Sequence, residues 1–274
     1  MGWPGRWGTF MALGVALVPS LALAVGKCER VVATGSPDAP PYLWRDPADP
    51  RHLIGASADL LAQVAAELGL KVEVLYAGKR SQAMDEVRSG RMDLLVDAPM
   101  ALDDLDSLDF IHPPLVLNDY LVWTQQGSAL VYNTVGDLHG HLGAVSARAR
   151  LTASFESFAQ ENLSLAHTEN LTQAFQQLML GQVEYVVAGR YAGLAMAQTL
   201  GLGKDLVAHE TPLDRPGLYV ALSHNSACND PWLRGQLAKK MTELPASAQA
   251  QVIVQRNVER WKAQMQQPPG APKQ

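Results

Sequence analysis

Arg30-Val31-Val32-Ala33-Thr34-Gly35-Ser36-Pro37-Asp38-Ala39-Pro40-Pro41-Tyr42-Leu43-Trp44 opens a stretch that runs to Pro99 and decides the fold. Residues 30–34 read as a strand. Pro40-Pro41 forces an extended turn, because proline fixes its own φ and drives the preceding residue out of the helical region. From Ser57 the period changes: Leu60, Leu61, Val64, Ala65 and Leu68 fall on one helical face, and Gly69 suits the helix C-terminus. Residues 71–76 alternate as a second strand, and residues 82–88 form a second helix that Gly90 closes. Residues 92–96 (Met92-Asp93-Leu94-Leu95-Val96) are apolar almost throughout, as in a strand covered on both faces. Strands alternating with helices at this spacing predict a doubly wound parallel sheet.

A second cycle follows. Residues 115–124 are rich in strand formers, and residues 125–128 turn. Residues 137–145 lead into a helix over 155–161. Residues 165–168 read as a short strand and 171–180 as an amphipathic helix. Gly181-Gln182-Val183-Glu184-Tyr185-Val186-Val187 then echoes the Gly-x-x-acid-strand phrase of residues 90–96. Residues 217–222 form another apolar strand, followed by helices over 231–244 and 248–261. The Pro-rich tail, residues 267–274, is expected to be disordered.

Hydrophobic residues at 47% and charged residues at 18% exclude general disorder, and a net charge of −5 gives no reason to expect nucleic-acid binding. Residues 1–24 read as a signal peptide. Arg6 supplies the positive start, residues 9–18 form an uncharged, mostly apolar run, and Ala22-Leu23-Ala24 is a cleavage site of small residues. Cleavage there predicts a secreted, periplasmic protein. The run is shorter than the roughly 20 residues that span a bilayer. Export places Cys28 and Cys228 in an oxidising compartment, where two cysteines are more often bridged than free. Two separate buried thiols remain the alternative at this stage.

The order and spacing of these phrases resemble the bacterial extracellular solute-binding proteins of family 3, the periplasmic receptors for amino acids and similar polar solutes. The resemblance covers nearly all of the mature chain. It implies an α/β fold of the type II periplasmic-binding-protein kind: two doubly wound lobes joined by two crossing strands, near residues 119–124 and 211–217. Lobe one is expected over residues 26–119 and 217–262, and lobe two over residues 120–216. Such a hinge closes around a ligand.

In open α/β sheets ligands sit beyond the carboxyl ends of the strands. That rule selects residues 36–44, 76–80 and 97–100 in lobe one, and 146–150 and 188–191 in lobe two. The expected ligand-binding residues are Asp38, Tyr42, Trp44, Arg80, Asp97, Arg148, Arg190 and Tyr191, a few polar anchors between apolar walls. Three anchors of the family are changed. Its receptors carry an Arg six residues before an aromatic phrase, and here Asp104 stands six residues before Phe110. The acid that would hold a ligand ammonium in lobe two falls on Gly189, with Arg190 after it. The aromatic of the second loop falls on Arg80. Common neutral L-amino acids are therefore expected to bind weakly.

No metal spacing, nucleophile elbow or phosphate loop appears, so no enzyme activity and no cofactor are expected. The implied function is capture of a small polar solute by a monomeric periplasmic receptor that serves an ABC permease or a membrane sensor. An alternative comes from relatives of the family that are dehydratases acting on cyclic prephenate-like acids; Asp38, Asp97 and Asp104 could supply such chemistry.

Overall fold

The computed structural model describes residues 1–2, 28–244 and 248–266. The cleavage site at residues 22–24 and the Pro-rich tail lie outside the described residues.

The chain begins as the sequence period dictates. Strand β1 (Arg30–Gly35) leads to three short strands, β2 (Asp38–Ala39), β3 (Leu43–Arg45) and β4 (Leu53–Ile54), then helix α1 (Ala56–Glu67) and strand β5 (Lys71–Val74). Helix α2 (Arg80–Arg88) and strands β6 (Leu94–Pro99) and β7 (Leu108–Leu117) follow. Leu60, Leu61, Val64 and Ala65 of α1 are all buried, at 1% exposure or less. Burying a leucine of this kind contributes about 2 kcal/mol. The first two N–H groups of α1 are satisfied from the Pro-rich turn. Ala56 N donates to Pro41 O, and Ser57 N donates to Tyr42 O, each at 2.9 Å. Gly55 makes that approach feasible: its φ is +140°, and a Cβ there would lie 2.2 Å from Tyr42 O.

The other half of the chain starts at β8 (Tyr120–Gln125). It continues through β9 (Leu142–Ser146), α3 (Ala153–Asn162), β10 (Ser164–Thr168), α4 (Leu171–Met179), β11 (Tyr185–Gly189), α5 (Arg190–Thr199) and β12 (Leu206–Ala208). Strand β13 (Gly217–Ser223) and helices α6 (Pro231–Glu243) and α7 (Ala248–Gln266) complete it. Two five-stranded sheets result, in the orders β5-β1-β6-β13-β7 and β10-β9-β11-β8-β12, beside a small antiparallel sheet β2-β3-β4. Each large sheet has a parallel core, β5-β1-β6 and β10-β9-β11. The strands next to the crossings run antiparallel to their neighbours. The local β/α alternation could show only the parallel part; a strand that returns from the other sheet enters in the reverse direction.

The chain passes between the sheets twice, from β7 to β8 and from β12 to β13. The two crossings lean on each other. Asn118 N donates to Pro216 O at 3.0 Å, Tyr120 N to Asp214 O at 2.9 Å, and Leu213 N to Tyr120 O at 2.8 Å. Lobe one has a core around α1, β6 and β13, and the core of lobe two includes Trp123, Phe175 and Tyr185.

Cys28 and Cys228 form a disulfide, with Cα atoms 5.5 Å apart and 200 positions between them. In the chain-entropy view a loop of that length contributes about 5 kcal/mol. Asp93 anchors the same corner: its carboxylate accepts from Val32 N at 2.7 Å and from the Ser226 hydroxyl at 2.6 Å. Helix α7 is tied to α1 through Asp59, which accepts from Arg256 Nη2 at 2.9 Å and Asn257 Nδ2 at 2.8 Å. Among the described residues no helix is long and apolar enough to cross a membrane.

Candidate functional site

The end of β6 and the start of α2 lie across a groove from the loop after β9, and Tyr42 lies across it from the start of α5. Two cavities lie along it. One, about 630 Å³, is bounded by Tyr42, the end of β7, Asp119, Arg190, Tyr191 and α7. The other, about 770 Å³, lies between the starts of α2 and α3 and is bounded by Arg80, Met84, residues 99–104 and residues 149–151.

Asp97 lies within the buried stretch of β6. It is the one described non-glycine residue with a positive φ, 64°. Holding an aspartate there costs on the order of 1–3 kcal/mol, and such strain concentrates at functional sites. The side chain is 4% exposed, and the Ser57 hydroxyl donates to it at 3.2 Å. Burial pushes its pKa up to about 7, against the opposing effects of the Ser57 hydrogen bond and the Arg80 charge. A carboxyl shifted this far by burial is a feature that clusters at functional sites.

Tyr42 is set by the Pro-rich turn and the start of α1. Its hydroxyl donates to Leu117 O at 3.2 Å, beside the first crossing. Its ring meets Tyr191 of lobe two edge-on, with centroids 5.6 Å apart. Burial, helped by Tyr191, Asp97 and Asp119, raises the Tyr42 phenol far above its ordinary value, so it stays neutral and donates. This pair is a direct contact between the lobes.

Arg190 begins α5. Its Nη1 lies 2.6 Å from Glu210, its Nη2 3.6 Å from Asp119, and its backbone N donates to Asp119 O at 2.8 Å. Arg215 Nε reaches the same Asp119 carboxylate at 2.8 Å. Arg190 thus lines the groove, but its charge is committed to the crossing segments.

The remaining expected residues divide. Arg80 lies in the groove, at the first turn of α2. Asp38, Trp44 and Arg148, like Asp97, line neither cavity. Asp38 is exposed on β2. Trp44 is buried beneath α7: its Nε1 donates to Gln264 Oε1 at 2.9 Å, and Arg260 approaches its ring at 5.9 Å. Arg148 is exposed, and its backbone N donates to the Ser146 hydroxyl at 3.2 Å. Asp104, where the charge is reversed, is 7% exposed and receives Arg88 Nη2 at 2.6 Å.

Two site residues lay outside the expected set. Ser57 reads only as a helix start, because its role depends on Asp97, 40 positions away. Asp119 reads only as part of a strand-forming run at the first expected crossing, because its partners Arg190 and Arg215 arrive from the start of α5 and from the second crossing.

No family model matches the sequence, and no curated protein aligns with it significantly. Solved structures do match in fold. A histidine kinase sensor domain with similarity to periplasmic binding proteins superimposes with a TM-score of 0.60 at 21% identity, over 84% of this chain and 96% of that one. The second substrate-binding domain of Lactococcus lactis GlnP, in an open conformation, gives 0.62 at 16% identity over 85% and 97%. The substrate-binding protein of an amino acid ABC transporter gives 0.53 at 18% identity over 83% and 98%. At these identities the likeness speaks for the fold alone. The chain has the two-lobed α/β fold of the type II periplasmic binding proteins.

Proposed function

We propose that this protein is a periplasmic solute-binding protein that captures a small polar solute between its lobes and delivers it, or reports it, to a membrane partner. The observation that supports this reading is the groove itself. Residues from both lobes border its two cavities, two crossings connect its walls, and buried Asp97 lies within electrostatic reach of Tyr42 at one cavity and Arg80 at the other. A ligand that touches both walls favours the closed state, because only that state makes both sets of contacts. The partner is an ABC permease or a sensor, in line with the substrate-binding domains and the sensor domain that share the fold. The protein acts as a monomer, without catalysis and without a cofactor.

A thermal-shift screen of the purified mature protein against periplasmic metabolites tests the reading. A ligand that binds only the folded state raises the melting temperature, by about 2.7 kcal/mol of stabilisation at 100 times Kd. The reading predicts at least one small solute that does so and is recovered unchanged. A screen of broad chemistry without a single shift would contradict it.

Asp97 favours a second reading, a lyase on the same fold, because a carboxyl titrating near pH 7 can act as a general acid or base. That reading predicts that the bound solute is converted and that Asp97→Asn abolishes conversion while binding survives. Of the other two carboxylates considered for such chemistry, Asp38 is exposed and Asp104 is held by Arg88.

A further inference from the structure

The outer cavity brings two arginines together from opposite lobes. Arg80 comes from the first turn of α2 and Arg150 from the loop after β9. Among the described residues no hydrogen bond or ion pair engages either guanidinium; the backbone N of Arg150 donates to the Tyr120 hydroxyl at 2.9 Å and leaves its side chain unused. The two cations also feel each other. Burial lowers the Arg80 pKa first and the Arg150 charge lowers it further, while Asp97 and Asp104 only partly offset this. Arg80 is partly buried while Arg150 is exposed; a partly buried cation beside a like charge and without a paired counter-ion is unfavourable, and a carboxylate that takes two parallel N–H bonds from its guanidinium relieves it.

The carboxylates nearby do not serve as that counter-ion. Asp104 belongs to Arg88. Asp103 and Glu156 are exposed at the rim, and no ion pair among the described residues joins them to either arginine. Asp97 takes the Ser57 hydroxyl, and burial holds it partly protonated at neutral pH. Asp97, buried and lining neither cavity, is a poor seat for a ligand ammonium, and Gly189, at the end of β11, offers no charge at all.

Apart from Ser81 and those three carboxylates, Asp103, Asp104 and Glu156, the rest of the cavity wall is apolar. Met84, Pro99, Met100 and Leu151 line it, and Leu102 stands 79% exposed at its mouth. Methionines adapt to varied apolar shapes. A volume near 770 Å³ suits a small organic molecule with room for water.

We propose that the groove takes an organic monocarboxylate with an apolar body and no ammonium, gripped by Arg80 from lobe one and Arg150 from lobe two. This rests on the solute-binding reading and narrows its ligand class. The carboxylate bridges the lobes, so the ligand's charge closes the groove while its body covers the methionine wall.

The test is calorimetric titration of the mature protein with a panel of branched, straight-chain and aryl monocarboxylates, 4-methylpentanoate and phenylacetate among them. Three probes matched to 4-methylpentanoate accompany them: its amide, which keeps the body and loses the charge; acetate, which keeps the charge and loses the body; and L-leucine, which adds an ammonium. The proposal predicts binding by members of the acid panel and at least tenfold weaker binding of the amide, acetate and leucine. Arg80→Gln and Arg150→Gln should each weaken the acid at least tenfold without lowering the melting temperature of the free protein, which separates lost contact from lost fold. An amide as tight as the acid, leucine tighter than the acid, or unchanged affinity in both variants would overturn the proposal. If the acids fail while amino acids, cations or neutral solutes bind, the ligand class falls and the solute-binding reading stands. If no solute of any class binds, both fall.

Discussion

The two ends of the groove use the same residue type in opposite ways. Near the crossings Arg190 and Arg215 share Asp119, and Arg190 also holds Glu210. At the outer end Arg80 and Arg150 have each other and no paired carboxylate. The first set is complete without a ligand and fixes how the lobes are joined. The second is incomplete, and we propose that a ligand completes it. A charge in a cleft is therefore informative when its partner is absent; Asp97, whose proton burial retains to higher pH than usual, lies within electrostatic reach of Tyr42 at one end and Arg80 at the other.

Asp97 gives the largest expected effect. Its ordinary pKa is 3.8 and its folded value is about 7. Between those values the folded state holds a proton that the unfolded chain has released. Stability is therefore fully present below about pH 4 and falls as pH rises toward 7, by about 4 kcal/mol at most. Asp97→Asn should remove that dependence and stabilise the protein at pH 8 by about 2–3 kcal/mol. Denaturant melts at pH 5, 6.5 and 8 would show it. Parallel pH profiles for the two proteins would break the idea that Asp97 is uncommitted.

The completed end should respond next. Asp119→Ala leaves Arg190 and Arg215 without their shared carboxylate and should cost about 1–2 kcal/mol. Arg190→Ala should cost about 1 kcal/mol and change ligand affinity less than Arg150→Gln does. Equal stability but a tenfold loss of affinity in Arg190→Ala would show that Arg190 is a ligand anchor after all, and would erase the contrast between the two ends. Smallest is Tyr42→Phe, which loses the bond to Leu117 O and should cost about 1 kcal/mol or less. Chemical denaturation at one pH reads all three.

The alternation of residues 30–99 showed the β/α order because helical and strand periods are local. The two- and three-residue strands β2, β3 and β4 carry too few residues for a period, and the stretch read only as a Pro-rich turn. For the same reason Trp44 looked like a groove wall. Which face of a three-residue strand is covered depends on Gln264 and Arg260 in α7, more than 200 positions later. Arg80 and Arg190 both stood at strand-to-helix turns, and composition could not separate them. What separates them is pairing across the fold, with Glu210 and Asp119 reaching one and nothing comparable reaching the other. The departures at Asp104 and Gly189 from the pattern the sequence resembles were visible in the chain; that Asp104 is held by Arg88 was not.

The distance across the outer end of the groove tests the account most directly. Spin labels on Leu102→Cys and Gln160→Cys, both at exposed positions in opposite lobes, would report it with the native disulfide intact. On saturation with a bound monocarboxylate, the account predicts a shorter and narrower distance distribution in the labelled protein and no change when Arg150→Gln is added. A distribution that ligand leaves unmoved, or one that narrows equally without Arg150, would contradict it.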